Sequence, residues 1–225
     1  MEPFLELRRS DIGFGRVVLD DHGITRTSLF STQALPWGEI DDYRLTFEMT
    51  GGFPELLYFV DWIETALFVL DVVNAARGKS NVRLGIELRG AARSLRFNWR
   101  FRDVTRAIAH VLDRIGPRVA TNARARLATD RCVGFGDLVI SEREVRWGNK
   151  PPLLREDVES IELFDSSPVR LRVMQRGAVL PYGQSPTAVV PNVHAALEIA
   201  SSLGYRVRGG ELLTALSLRS RAAGS

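Results

Sequence analysis

Gly-Phe-Gly occurs twice in this chain of 225 residues, at 13–15 and at 134–136. A glycine-rich turn brings backbone N–H groups against a phosphate, but a dinucleotide cradle also needs a third glycine at the opening of a helix. Val18 and Val139 stand at that third position, and β-patterned sequence follows both. Arg77-Gly78-Lys79-Ser80 ends like a phosphate-binding loop, yet Val73 occupies the place of its first glycine. His22, His110 and His194 are scattered without metal-ligand spacing. Cys132 is the only cysteine, which excludes an intrachain disulfide and a thiolate cluster. Asp20, Asp21, Glu39, Asp41 and Asp42 form an acidic group able to hold a cation, although a turn and a solvated strand edge account for it more simply. No nucleophile elbow, H-E-x-x-H pair or Cys/His couple is present. The expectation is a non-enzymatic protein with no cofactor and no metal site.

Two other stretches carry chemistry of a binding kind. In SLRFNWRFR (94–102), Leu95, Phe97, Trp99 and Phe101 alternate with Arg96, Asn98, Arg100 and Arg102. Period-two alternation sends the aromatics to a core and sets the arginines in a row on the opposite face. Residues 83–131 hold twelve Arg against four acids. The row either pairs with the chain's own carboxylates or meets an acidic protein surface or phosphate headgroups. With a formal net charge of only +3, nucleic acid is not the expected partner. The second stretch, entered at Pro54 and followed by Gly78, has helical spacing over about five turns. Leu56, Phe59, Ile63, Ala66, Leu67 and Leu70 share one broad face of it. Asp61, Glu64 and Asp71 interrupt its apolar run; one such charge at mid-membrane costs ~2.5–3.5 kcal/mol, so no transmembrane segment is expected. Trp62, Ile63, Leu67 and Leu70 are the candidate residues for binding a protein partner or a second copy of the chain. The helix itself is expected to pack between the two repeats, with self-association as the alternative.

The elements that position these stretches follow from an internal match. GRVVLDDHGITR (15–26) corresponds to GDLVISEREVRW (136–147), LPWGEIDDYRL (35–45) to LLREDVESIEL (153–163), and VRLGIELRGA (82–91) to VRLRVMQRGA (169–178). Each copy then ends in a helical pattern running to a glycine, 103–116 and 192–204, with Asp103 and Asn192 as N-cap types. The offset is 118 in the second block and 87 in the third, so copy one carries 31 extra residues, between about 46 and 81. The expected organisation is repeat 1 at 1–116 with this helical insert, a linker at 117–130, repeat 2 at 131–205 and a tail at 206–225. The expected fold class is α+β: two repeated antiparallel β-barrel or sandwich units, each capped by a C-terminal helix, with an inserted apolar helix in the first.

Asp21, Gly23 and Ile24 form a D-x-G-I strand, and Pro36, Trp37 and Ile40 form a P-W-x-x-I strand. These motifs, in this order, resemble bacterial pleckstrin-homology-like domains, over residues 12–48 with 82–116 and over 133–204. Copy two departs from the pattern, with Arg155 in place of the Trp and Glu144 in place of the Gly. The resemblance implies a bent antiparallel barrel with a capping helix, in a family that mostly binds proteins or lipids. Its phosphoinositide-binding members use basic residues in the first strand-to-strand loop, whereas LDDHG and ISERE here are mostly acidic. The expected function is therefore a binding or scaffold protein engaging a protein partner or itself through the inserted helix and the Arg strand. The alternative is peripheral association with anionic membranes through Arg96, Arg100 and Arg102. MEPFLELRRS lacks the charge and apolar order of a signal peptide, and a single cysteine suits a reducing compartment, so cytoplasmic localisation is expected.

Overall fold

The computed structural model describes residues 5–8, 15–49, 82–98, 100, 101, 103–164 and 168–209. The first sheet is an antiparallel meander of β1 (Leu5–Arg8), β2 (Gly15–Leu19), β3 (Gly23–Ser28) and β4 (Thr32–Pro36). Alternation drives it: Leu5 and Leu7, then Val17 and Leu19, turn to the core while Arg8 and Arg16 face water. A 3-10 turn, Trp37–Glu39, leads to the second sheet, β5 (Asp42–Met49), β6 (Val82–Arg89) and β7 (Ser94–Asn98). The helix α1 (Val104–Asp130) follows. The same order then returns. The third sheet is β8 (Cys132–Phe135), β9 (Leu138–Ser141), β10 (Glu144–Trp147) and β11 (Leu153–Leu154), followed by a 3-10 turn at Arg155–Asp157. The fourth contains β12 (Val158–Phe164), β13 (Arg170–Gln175) and β14 (Gly183–Pro186), then the helix α2 (Val193–Ser202). A final strand, β15 (Val207–Arg208), pairs in parallel with β12.

Two closed, separately capped barrel or sandwich units of the pleckstrin-homology-like kind are not what the chain forms. Among the described residues the strands make four separate sheets, none closes into a barrel, and strand outweighs helix. The first two sheets approach each other at β4 and β7. What joins them there is side chain to backbone: Arg26 Nη1 donates to the Arg96 carbonyl at 3.0 Å and Arg93 Nη1 to the Ala34 carbonyl at 3.4 Å. Such links hold two sheets edge to edge without a strand ladder between them.

Nor does either helix serve one half alone. The glycine at 116 does not end α1, which runs on through Pro117 and through the whole segment expected as a linker. An interior proline removes one helical hydrogen bond and disfavours the helix by ~3 kcal/mol. Burial outweighs that loss: Ala107, Ile108, Val111, Leu112 and Ile115 are followed at the same spacing by Val119, Ala120 and Ala123, all buried. The helix packs on β1 and β6 of the first half and on β8 and α2 of the second. Both halves thereby share one hydrophobic core, from Leu5 to Tyr205.

The insert expected at 46–81 begins later than the sequence suggested, because residues 46–49 belong to β5. Met49 and Val82 are directly paired, so the chain leaves and re-enters the second sheet at one point. Residues 50–81, and with them Trp62, Ile63, Leu67 and Leu70, lie outside the described residues.

The two halves are also clamped by backbone. Asn192 sits at the N-cap of α2 with φ 52°, and its side chain does not cap that helix. Its Oδ1 instead accepts the Tyr43 N–H at 2.9 Å, while its own N–H donates to the Tyr43 carbonyl at 2.8 Å. Asn tolerates the left-handed region that other side chains avoid. Asn192→Gly is expected to lose about 1–3 kcal/mol through the orphaned Tyr43 N–H. Asn192→Ala is expected to lose about 1 kcal/mol more, from backbone strain. Urea denaturation of the two variants checks this, and equal midpoints for Ala, Gly and wild type would refute the clamp.

Candidate functional site

β7 carries the arginine row only in part. Leu95 and Phe97 are buried, Ser94 and Arg96 are exposed, and the strand stops at Asn98. A turn follows, with the Phe101 N–H donating to the Asn98 carbonyl at 2.9 Å and the Arg100 N–H to Asn98 Oδ1 at 3.3 Å. The row expected to run straight through Arg102 therefore bends: Arg100 sits on the turn and Phe101 returns to the core. Trp99 and Arg102 lie outside the described residues.

The bend creates a cleft of about 350 Å³ between β3 and β7, lined by Gly15, Arg26, Ser28, Arg96, Asn98 and Arg100, with Phe97 and Phe101 beneath. Three arginines line it, and among the described residues no carboxylate does. The acid facing Arg96 across the sheet, Glu87, is engaged by Arg89 through Nη2 at 2.9 Å and Nε at 3.0 Å. Planar guanidinium forks, a hydroxyl and a carboxamide are the donors that suit a phosphate or carboxylate. The sequence placed Arg96 and Arg100 here; it missed Arg26 and Ser28, which reach the cleft only because β3 is brought beside β7.

Other clefts among the described residues are closer to charge balance. One of about 690 Å³ between α1 and the third sheet has Arg124, Arg131, Arg143 and Arg146 with Glu142 and Glu144. Arg124 is drawn to Glu198 and Arg146 to Glu144. Another, of about 540 Å³, has Arg155, Arg176 and Arg206 with Glu156 and Glu159. There Arg155 lies 5.7 Å from the centre of the Tyr205 ring. Burial, above all, pushes the Tyr205 hydroxyl up to about 12, and that hydroxyl donates to the Ser141 carbonyl at 2.9 Å.

Within the acidic group, Asp20 has a structural role. Asp20 Oδ1 accepts the N–H of His22 and of Gly23, closing the β2–β3 turn. Among the described residues no three His, Cys, Asp or Glu side chains converge as metal ligands. His194 Nδ1 lies 4.0 Å from Glu198, and His110 meets the Trp37 ring edge-on at 5.9 Å. Among the described residues no helix is long and apolar enough to cross a membrane.

The outer face of the second sheet holds an acid with one buried oxygen that lacks a hydrogen bond. Burial raises the Asp42 carboxyl above its ordinary value, against the lowering influence of Arg44 and Arg89, and its Oδ1 is buried without a hydrogen-bond partner. Because the folded value exceeds the unfolded one, the unfolded chain gives up this proton first. Stability from this group is thus present at low pH and is lost as pH rises from about 3.9 through the folded value. Asp42→Asn removes the titration, so its stability relative to wild type should increase as pH rises from 3 to 7. Chemical denaturation at a series of pH values reads the difference, and a constant offset would disprove the assignment. No protein-family model matches this chain, and no curated protein matches it in sequence.

Proposed function

We propose that this chain is a non-enzymatic binding module that docks on an anionic lipid surface through the arginine cleft and the β3–β4 hairpin beside it. One observation carries the reading. At the hairpin tip, adjoining a cleft lined among the described residues by three arginines and no carboxylate, Leu29 is 61% and Phe30 96% exposed. A large aromatic side chain held in water next to clustered guanidinium groups is the pairing that a membrane interface takes up: apolar groups enter the acyl boundary and cations meet the headgroups. The tip is preorganised, since the Ser28 N–H donates to the Ser31 carbonyl at 2.8 Å and the two hydroxyls lie 2.9 Å apart. In the second half Val179 and Leu180 are also exposed, at 94% and 77%, in the β13–β14 loop. Lys150 lies beside that loop, its ammonium donating to the Tyr182 carbonyl. The acidic β2–β3 turn is no obstacle, because the basic groups lie on β3, on β7 and on the turn after β7.

Sedimentation with vesicles of phosphatidylcholine, alone or mixed with phosphatidylserine, tests the reading. Each cation near an anionic surface contributes about 1 kcal/mol, so Arg26→Ala with Arg96→Ala should weaken binding to the mixed vesicles by about thirtyfold. Phe30→Ser should weaken it about tenfold, and raised salt should weaken it further. Equal partition onto neutral and anionic vesicles, or binding that ignores salt and all three substitutions, would sink the proposal. So would capture of an acidic peptide by the cleft without any vesicle binding.

A further inference from the structure

The second and fourth sheets differ at one edge. In the second half the chain turns after α2 at Gly204, φ 78°, and runs back as β15 along the outer edge of β12. There the Ile161 N–H donates to the Arg206 carbonyl at 2.9 Å, and Arg208 lies opposite Glu162. In the first half no such return occurs, because α1 continues past Gly116 to Asp130. β5 is thus an edge strand of its sheet among the described residues. Among the described residues only Tyr43, the counterpart of Ile161 at the 118-residue offset, has its outward N–H and C=O taken, by Asn192. Outward-facing backbone groups recur at every second residue of an antiparallel edge, so Leu45 and Phe47 turn theirs the same way. An edge of this kind is a template for an added strand.

The side chains specify what that strand must carry. Glu162 is buried at 4% exposure and takes Ser160 Oγ at 3.1 Å, the Arg172 guanidinium, and Arg208 Nη1 of β15 at 3.9 Å. Its counterpart on β5 is Arg44, of opposite charge, whose Nε is buried without a hydrogen-bond partner. The carboxylate facing Arg44 across the sheet, Glu87, is held by Arg89. Where the second half uses an arginine from an added strand to meet a glutamate, the first half presents an arginine, influenced by Asp42 of its own strand, and has no added strand among the described residues.

We propose that the β5 edge from Leu45 to Met49 binds an extended acidic segment of a partner protein as an added parallel strand, with a carboxylate meeting Arg44. The site lies across the sheet from the arginine cleft, two strands away, and does not depend on the membrane reading.

Fluorescence anisotropy with the full chain and two labelled peptides, one alternating Val and Glu and one alternating Val and Lys, tests it. The Glu peptide should bind at least tenfold tighter than the Lys peptide, and Arg44→Glu should reverse the order. Arg44→Gln, a milder change, should abolish the preference if the Glu variant does not fold. N-methylation of alternate residues of the Glu peptide should remove binding, because the added strand then cannot donate. Hydrogen exchange adds a readout on the protein: the Leu45 and Phe47 amides should exchange faster than that of Tyr43 in the free chain and slow when the Glu peptide is present. No binding of the Glu peptide, indifference to peptide charge or to N-methylation, or full protection of both amides in the free chain overturns the proposal. Arg26→Ala with Arg96→Ala should leave the peptide affinity unchanged, and Arg44→Gln should leave vesicle binding unchanged.

Discussion

The contact between Tyr43 and Asn192 governs how the two halves meet. It is a pair of backbone-directed hydrogen bonds between residues 149 apart, made where β5 has an outward edge and α2 has its first turn. A buried peptide group left without a partner loses about 1–3 kcal/mol, so the relative placement of β5 and α2 is set to within hydrogen-bond tolerance. Once α2 is fixed there, its buried face of Val193, Ala196, Leu197 and Ala200 settles onto α1 and the fourth sheet. The left-handed backbone at Asn192 follows from the same demand, since it lets one residue offer Oδ1 and its own N–H to a single peptide unit. Tyr43 itself is fully buried, and burial carries its hydroxyl well above the ordinary range, so the ring serves as core and not as an acid.

Local patterning was legible wherever it decided local structure. Period-two alternation in β2, β6 and the start of β7 places Val17, Leu19, Leu84, Ile86, Leu88, Leu95 and Phe97 inside, and all are buried. Phe135 of the second Gly-Phe-Gly is buried too, while Gly136 turns β8 into β9 with φ 68°. Trp37 and Ile40 of the P-W-x-x-I motif are core residues, although the motif forms a 3-10 turn and not the expected strand, with the indole donating to the Asp20 carbonyl at 2.8 Å. What misled was a local stop signal facing a tertiary demand. Gly116-Pro117 reads as a helix end because glycine and proline weaken helices, yet the apolar spacing continues on the far side of them. Arg118 then spans to the first half, its Nη1 donating to the Gly38 carbonyl at 2.9 Å and its Nη2 to that of Ile40. A residue expected in a linker is thus a tie between α1 and the 3-10 turn that leads into β5.

Closure of each half into a barrel failed for a related reason. A closed barrel needs a strand ladder at every seam, and the seam between β4 and β7 is made by arginine side chains reaching carbonyls. Arginine is abundant because only Lys79 and Lys150 of the 30 cations are lysines, and its fork spans gaps that backbone cannot. The candidate site is a by-product of that seam. Arg26 crosses it, Arg96 lends it a carbonyl, and the turn at Asn98 swings Arg100 to the same cleft. Composition showed a surplus of arginine in 83–131; which of them converge depends on how two sheets sit side by side, and no local pattern encodes that.

The same edge position is handled in two ways within one chain, and charge follows the choice. Where β15 covers β12, a carboxylate is sunk to 4% exposure and compensated by cations on both flanks, one of them brought by the covering strand. Where α1 runs on and nothing among the described residues covers β5 past Tyr43, the counterpart is an arginine, whose charge resists neutralisation on burial. A carboxylate can shed its charge by protonation, and burial raises the Asp42 carboxyl two residues away in that direction. Arg44 has no such escape, so its desolvated Nε can be satisfied only by an acceptor. That asymmetry makes the open edge selective for an acidic strand, because a basic strand would place like charges together in a half-dry site.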